Sequence, residues 1–286
     1  MRLSRPESLE EAVAVLDAAA HPIAYAGGIE VLLGLRSGAI RADVLIDTKR
    51  IGGSAGVADS ASEIRIGPAT RHHDLASDPI VRARLPLLAL ACAHVGTVRI
   101  RMQGTIGGNF ATGLAHTDPG AAALVYGGTV TMVGAASRRR VPIDEFWCGG
   151  GTVDRKPHEL IESIVLRPLD HRWSVVHERI ESRHRPPSAV LSCAARIEDD
   201  RITLCRLAVG SVGDRPRRLT AVEAVLGGCR PVEAIAAVAD HRALIGRAAA
   251  AYSDHVGSAS YKTDLLVGLI QRALTRIAAM TGEVQR

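Results

Sequence analysis

The sequence predicts an α+β protein built from more than one unit. Two patterns carry that expectation. Near the start a strand, a glycine turn and a helix follow one another, and past residue 173 a run of strand-like segments gives way to a run of helical ones. A length of 286 residues admits one large domain or two to three small ones, with enough chain to bury a core. At 47% hydrophobic and 23% charged residues, the composition is that of an ordinary globular protein.

Ser8-Leu9-Glu10-Glu11 fits a capping box. Leu9, Ala12, Val13 and Leu16 then recur at helical spacing, predicting an amphipathic helix over about 8–19. Pro22 to Ala26 is a short apolar strand ending at Gly27-Gly28, and Ile29 to Leu35 reads as a helix stopped by Ser37-Gly38. Val44-Leu45-Ile46 and Glu63-Ile64-Arg65-Ile66 predict strands, Thr70 is placed to cap a helix through His72 to Ser77, and Leu85 to Val95 is a second apolar helix. Between Met102 and Ser137, 36 residues carry a single formal charge, Asp118, and eight of the 28 glycines. Strands are expected at Thr129 to Val133 and at Leu160 to Leu166, the latter ending at Pro168. The composition shift at 167–173 marks the expected boundary. Strands follow at 173–180, 188–197 and 201–211, then helices at 220–226, 231–238 and 258–280.

The five cysteines stand alone at 92, 148, 193, 205 and 229, so there is no CxxC pair and no recognisable zinc or iron–sulfur spacing. Metal chemistry is expected on another chain. Net charge is +5, but 32 of the 35 basic residues are scattered arginines, with one run at Arg138-Arg139-Arg140. Nucleic acid would need a clustered footprint and stacking aromatics, so it is not expected as a partner. The opening MRLSRPESLEEA lacks the apolar core of a secretory signal, and the chargeless stretch 119–137 holds Pro119 and four glycines, unlike a membrane span. A cytoplasmic protein without a membrane span is the expectation.

Two segments share a physical logic: Ala24-Tyr25-Ala26-Gly27-Gly28-Ile29-Glu30-Val31 and Thr105-Ile106-Gly107-Gly108-Asn109. Paired glycines after an apolar stretch let consecutive amides converge on an anion and let a ligand approach closely; the plain alternative is a tight turn. A helix after Gly27-Gly28 would add its positive N-terminal end. Neither segment is GxGxxG or GxxxxGKS. Asp118 is read either as a carboxylate awaiting hydroxyl partners or as a helix cap before Pro119. His72, His73 and His116 are expected in cap or surface roles, Cys148 as a small buried residue with redox function as the alternative, and Arg138 to Arg140 on a solvated hairpin face able to meet an acidic partner or a nucleotide.

The motifs Tyr25-Ala26-Gly27-Gly28-Ile29-Glu30-Val31-Leu32, Val95-Gly96-Thr97-Val98-Arg99-Ile100-Arg101-Met102-Gln103-Gly104-Thr105-Ile106-Gly107-Gly108-Asn109, Asp118-Pro119 and Gly257-Ser258-Ala259-Ser260-Tyr261 resemble the flavoprotein (medium) subunit of molybdenum hydroxylases, the carbon monoxide dehydrogenase and xanthine dehydrogenase family. Arg5 to Ala12 and Ala83 to Leu88 extend the likeness over nearly the whole chain. The resemblance implies FAD held in the two-subdomain fold shared with vanillyl-alcohol oxidases (residues 1–170, subdomains about 1–55 and 56–170), followed by a smaller α+β domain at 171–286. It implies that residues 24–31 and 105–109 surround the phosphates and ribityl chain. Asp118 would be the acidic contact to hydroxyls, Val95 and Ile161 apolar pocket positions, and Arg179 would stand where relatives place a Lys. Position 29, often a hydroxyl or imidazole in relatives, is Ile.

The family's chemistry needs no nucleophile in this subunit, in keeping with the absence of a Ser/His/Asp or Cys/His constellation. The implied path runs from a molybdenum-cofactor large subunit through two [2Fe–2S] clusters of a small subunit to FAD here, and on to NAD+, a quinone or oxygen. The cysteine-rich insertion with an additional cluster, found in some relatives, is not expected. A stand-alone flavin oxidoreductase and a non-flavin binding or assembly protein retaining the fold are the competing readings.

Overall fold

In the computed structural model, which describes residues 1–181 and 186–282, three larger sheets and one two-stranded ribbon form among the described residues. The first contains β1 (Arg2–Ser4), β2 (Pro22–Tyr25) and β3 (Val44–Asp47), all parallel, with β3 in the centre. Helices α1 (Leu9–Ala18) and α2 (Ile29–Ser37) make the crossovers. Ser8 Oγ accepts from Glu11 N at 3.1 Å, but the Glu11 carboxylate reaches one residue further back, accepting from Glu7 N at 3.0 Å. Ala12, Val13 and Leu16 bury against Val44, Ile46 and Leu160.

The second sheet is antiparallel in the order β4-β5-β10-β6-β7, formed by β4 (Val57–Asp59), β5 (Ile64–Ile66), β6 (Gly128–Gly134), β7 (Ser137–Pro142) and, after the small β8–β9 ribbon (Trp147–Gly149, Thr152–Val153), β10 (Leu160–Leu166). Between β5 and β6 the chain winds through α3 (His72–Ser77), α4 (Pro79–Arg84), α5 (Pro86–His94), α6 (Val98–Arg101), α7 (Ile106–Ala111) and α8 (Asp118–Tyr126); α9 (Ile143–Phe146) precedes β8. Every residue of α8 is buried, which explains why the stretch that follows Asp118 carries no charge. Thr70 does not cap α3. Arg71 occupies the cap position, while Thr70 Oγ1 donates to Gly67 O at 2.6 Å and accepts from Gly56 N at 2.9 Å, tying two loops together. Arg138 to Arg140 do lie on a hairpin strand. Arg138 forks onto Glu162, and Arg139 binds both Asp154 and Glu159.

The third sheet, β11 (Trp173–Ile180), β12 (Ala189–Glu198), β13 (Arg201–Gly210) and β14 (Arg217–Arg218), is antiparallel, with β11 at one edge. The period-two alternation of its strands serves two cores. Val190, Ala194 and Ala208 face the core that contains α8, whereas Val176, Leu191, Cys193, Leu207 and Val209 face α10 (Thr220–Leu226), α11 (Pro231–Ala237), α12 (Arg242–Ala248) and α13 (Ala259–Met280). No helix among the described residues is long and apolar enough to cross a membrane. Cys148 is exposed on β8 rather than buried, because its neighbours Trp147 and Gly149 take the inward positions of that short strand.

Candidate cofactor-binding site

The two glycine segments meet. A Cβ on Gly27 would lie 2.1 Å from Gln103 O and 3.0 Å from Gly104 Cα, so the chain at 103–104 passes against the turn after β2 at a distance only glycine allows. Gly28 follows in the left-handed region (φ +71°) and starts α2, with Ile29 and Val31 half-buried and Glu30 exposed. Lys49, which no sequence motif marked, closes the turn. Its Nζ donates to Ala26 O at 3.1 Å and to Asp47 Oδ1 at 2.6 Å, and lies 4.5 Å from the centre of the Tyr25 ring. Tyr25 OH reaches Asp47 Oδ2 at 3.3 Å, and the Tyr25 carbonyl accepts from Thr48 Oγ1 at 3.1 Å; Ala24 lies within β2.

The second segment is not a loop. Thr105 caps α7, its Oγ1 accepting from Gly108 N at 3.2 Å, so Ile106, Gly107, Gly108 and Asn109 form the first turn of a helix. The reason is local: a threonine cap holds the turn even with two poor helix formers inside it. Gly107 is required by packing, since a Cβ there would sit 2.4 Å from Pro68 Cβ and 2.7 Å from Pro68 O. Gly108 is exposed and would meet only Thr105 Oγ1, at 3.1 Å. Asn109 Oδ1 accepts from Thr117 Oγ1, linking α7 to the start of α8. Beneath this segment lies His72, buried rather than at the surface. Its amide donates to Gly104 O at 3.0 Å, its ring packs on Gly104, and its Nδ1 has no partner. Burial, then the Arg101 guanidinium, push its imidazole down to about 4.

Thr117, not Asp118, is the cap of α8, its Oγ1 accepting from Gly120 N at 3.2 Å. Asp118 in the first turn is 4% exposed; its Oδ2 accepts from Arg179 Nη1 at 2.9 Å, and its Oδ1 has no protein partner. Burial raises its carboxyl to about 6, against the opposing pull of Arg179 and His94. Arg179, on β11, also donates to the His94 carbonyl and to Glu181. Val95 is half-buried at the end of α5, beside that carbonyl, and its own carbonyl accepts from Arg101 Nη1 at 3.1 Å. Ile161 lies opposite Met132 on β10 and packs on the main core. Apart from Ile161, the predicted residues form two clusters, one around Gly27, Gly28 and 103–109 and one around Asp118, Arg179 and 94–95, joined by the Asn109–Thr117 hydrogen bond.

Residues 1–168 match the family described as FAD binding domain in molybdopterin dehydrogenase. The chain belongs to that family. Residues 180–277 match the CO dehydrogenase flavoprotein C-terminal domain. Among its relatives, the carbon monoxide dehydrogenase medium chain of Hydrogenophaga pseudoflava is 31% identical over 94% of each chain, and the glyceraldehyde dehydrogenase medium chain of Sulfolobus acidocaldarius is 27% identical over 96% of this chain and 97% of that one. The solved carbon monoxide dehydrogenase of Hydrogenophaga pseudoflava superposes with a TM-score of 0.91 at 28% identity, covering 98% of this chain and 97% of that chain. The fold is thus that of a CO dehydrogenase medium chain, the cofactor is FAD, and the protein is an oxidoreductase subunit of the molybdenum hydroxylase type.

The residues present suit such a dinucleotide. Asp118 Oδ1 is a buried acceptor that a ligand hydroxyl would satisfy, and the outer face of Gly108 is free of protein atoms other than Thr105 Oγ1. Ile29 adds no side-chain donor, which leaves backbone amides and Lys49 as the groups at the first turn. Among the described residues no three His, Cys, Asp or Glu side chains converge as metal ligands.

Proposed function

We propose that this chain is the flavin-carrying subunit through which electrons leave a molybdenum hydroxylase complex. Its partners are a molybdenum-cofactor large subunit and a [2Fe–2S] small subunit, and its electrons pass to an external acceptor. FAD, when bound, supplies the ability to take up and release one or two electrons; the protein supplies position and electrostatics. The single observation that carries the reading is the joining of both clusters within one chain that matches the medium subunits end to end.

In this reading residues 24–31 with Lys49 and 105–109 hold the phosphates through amides and one cation. Asp118 Oδ1 accepts from a cofactor hydroxyl, and Arg179 fixes the carboxylate by occupying Oδ2. Val95 and Ile161 contribute apolar wall. Residues 1–170 form the cofactor domain, with subdomains meeting near residue 55, and the C-terminal domain from 171 contributes Arg179. Five free thiols suit a reducing cytoplasm.

The test is purification of the chain, alone and with its partner subunits. FAD released in a one-to-one ratio to protein, and reduction of that flavin when the assembled complex receives its substrate, are expected. A folded chain with no FAD would favour an assembly protein that keeps the fold, and flavin reduction by substrate without partners would favour a stand-alone oxidoreductase.

A further inference from the structure

We propose that Trp147 and Arg215 are positioning residues of the cofactor site: Trp147 is a wedge that sets the spacing of α7 and α8, and Arg215 of the C-terminal domain holds the wedge in place. The proposal rests on the flavin reading above and deepens it by assigning positioning residues that lie outside every motif of the resemblance.

The chain has only two phenylalanines and two tryptophans, yet both phenylalanines and one tryptophan gather at this point. The Trp147 ring centre lies 4.8 Å from that of Phe110 and 5.3 Å from that of Phe146, meeting the latter edge-on, and all three rings are buried. Phe110 belongs to α7 and follows Asn109 directly. On its other side the indole lies against the first turn of α8. A Cβ on Gly120 would be 3.3 Å from Trp147 Cζ2 and 2.8 Å from Thr117 Cγ2, so the absence of a side chain there lets the ring close on the helix. Gly120 N is the amide that the Thr117 hydroxyl caps, as Gly108 N is the one that Thr105 caps. The wedge therefore touches both helices whose first turns carry the predicted contacts, and a close-packed rigid ring fixes the distance between them.

The C-terminal domain grips this wedge through the loop between β13 and β14. Arg215 Nη1 donates to the Trp147 carbonyl at 2.7 Å, a charge-assisted bond of the stronger kind. Pro216 packs on the same turn, its Cγ 3.2 Å from where a Gly120 Cβ would stand, and Asp214 Oδ2 would lie 2.2 Å from a Cβ on Gly149, at the end of β8. The loop is itself anchored. Ser211 N donates to Ala115 O at 2.9 Å, Arg217 binds Asp214, and Gly213 sits so close to Ala249 O that a Cβ would be 2.3 Å away. An unbroken run of contacts thus leads from the C-terminal domain to Asn109 and Asp118. A ligand site needs its groups held within about 0.5 Å, so loosening the wedge misplaces Gly108, Asn109 and Asp118 together.

Hydrogen exchange of the FAD-free chain, read by mass spectrometry, and calorimetric titration with FAD test this in Arg215→Met, Arg215→Lys and Pro216→Ala. In Arg215→Met the first turns of α7 and α8 should exchange roughly tenfold faster while β12 and α13 keep parent rates, and FAD should bind roughly three- to tenfold more weakly. Arg215→Lys keeps a donor for the Trp147 carbonyl and should recover most of both losses. Pro216→Ala should show the same pattern at smaller size. Parent exchange at both turns in Arg215→Met and Pro216→Ala, faster exchange spread evenly over the chain, parent-strength FAD binding, or no recovery in Arg215→Lys overturns the proposal. The expected local exchange in a parent and variant pair that bind no FAD at all overturns the flavin reading instead.

Discussion

Arg179 and Asp118, 61 residues apart in sequence, form a buried ion pair at 2.9 Å that joins the edge strand of the third sheet to the first turn of α8. The pair lies within one of the two clusters, one residue beyond the Thr117 that links it to the other, and Arg179 adds a second anchor through the His94 carbonyl. The pairing gives the Arg179 guanidinium a buried anionic partner. The guanidinium Nη1 donates both to the carboxylate and to the His94 carbonyl at the end of α5, while the second arm of its fork, Nη2, is held by Glu181.

Replacing Arg179 by Leu strands a buried carboxylate, and unfolding in urea should show a loss of about 3–5 kcal/mol in the FAD-free chain. Arg179→Lys keeps the charge but surrenders the fork, so its loss should be clearly smaller and FAD should remain bound. Equal losses in the two variants would show that the charge pairing is not what matters at this position.

The four glycines of the cradle separate into packing and access. Gly27→Ala drives a Cβ into Gln103 O, and overpacking of this kind costs about 1–3 kcal/mol, visible as a lower melting temperature even without cofactor. Gly108→Val meets only the Thr105 hydroxyl and relieves a helix of a glycine, so the apo chain should be within about 0.5 kcal/mol of the parent while FAD retention is lost. If Gly108→Val binds FAD at parent strength, the first turn of α7 does not approach the cofactor.

Much of this was readable from sequence where a residue's neighbours along the chain decide its structure. Leu160 to Leu166 and Trp173 to Ile180 alternate or run apolar between clear stops and become strands with those bounds. Helix α12 was not foreseen because only Ile245 of its seven residues is buried, leaving no apolar periodicity to read. The N-terminal turn of α7 resembled a loop because Gly107 answers to Pro68, nearly forty positions earlier, and not to its own segment. Lys49 at the glycine turn, His72 under Gly104 and the Asp118–Arg179 pair are likewise products of the assembled fold, with no local pattern to announce them.

Lys49 is the one cation bonded to the glycine turn, among the described residues, and its Nζ is also held by Asp47. Lys49→Met should weaken FAD binding several-fold, and the difference from the parent should shrink as salt is raised, because half-exposed charges are screened. A deficit that is independent of ionic strength would assign the effect to lost packing on Tyr25 instead.

Acid and base should act on the cradle in opposite directions. Asp118, raised to about 6 by burial, holds a proton in the folded chain that the unfolded chain, near the ordinary 3.8, has already released. Its contribution is therefore complete below the unfolded value and is lost as pH rises through about 6. His72, lowered to about 4 by burial, stays neutral in the fold while the unfolded imidazole, near 6.5, takes up a proton. Its contribution is present above the unfolded value and is lost as pH falls toward about 4. Urea midpoints of the FAD-free chain between about pH 4 and pH 7 separate the two. Relative to the parent, Asp118→Asn should gain stability as pH rises, and His72→Phe should gain as it falls. Parallel profiles for the parent and Asp118→Asn would mean that the carboxylate is hydrated in solution, and the unpaired Oδ1 would then need no cofactor hydroxyl to satisfy it.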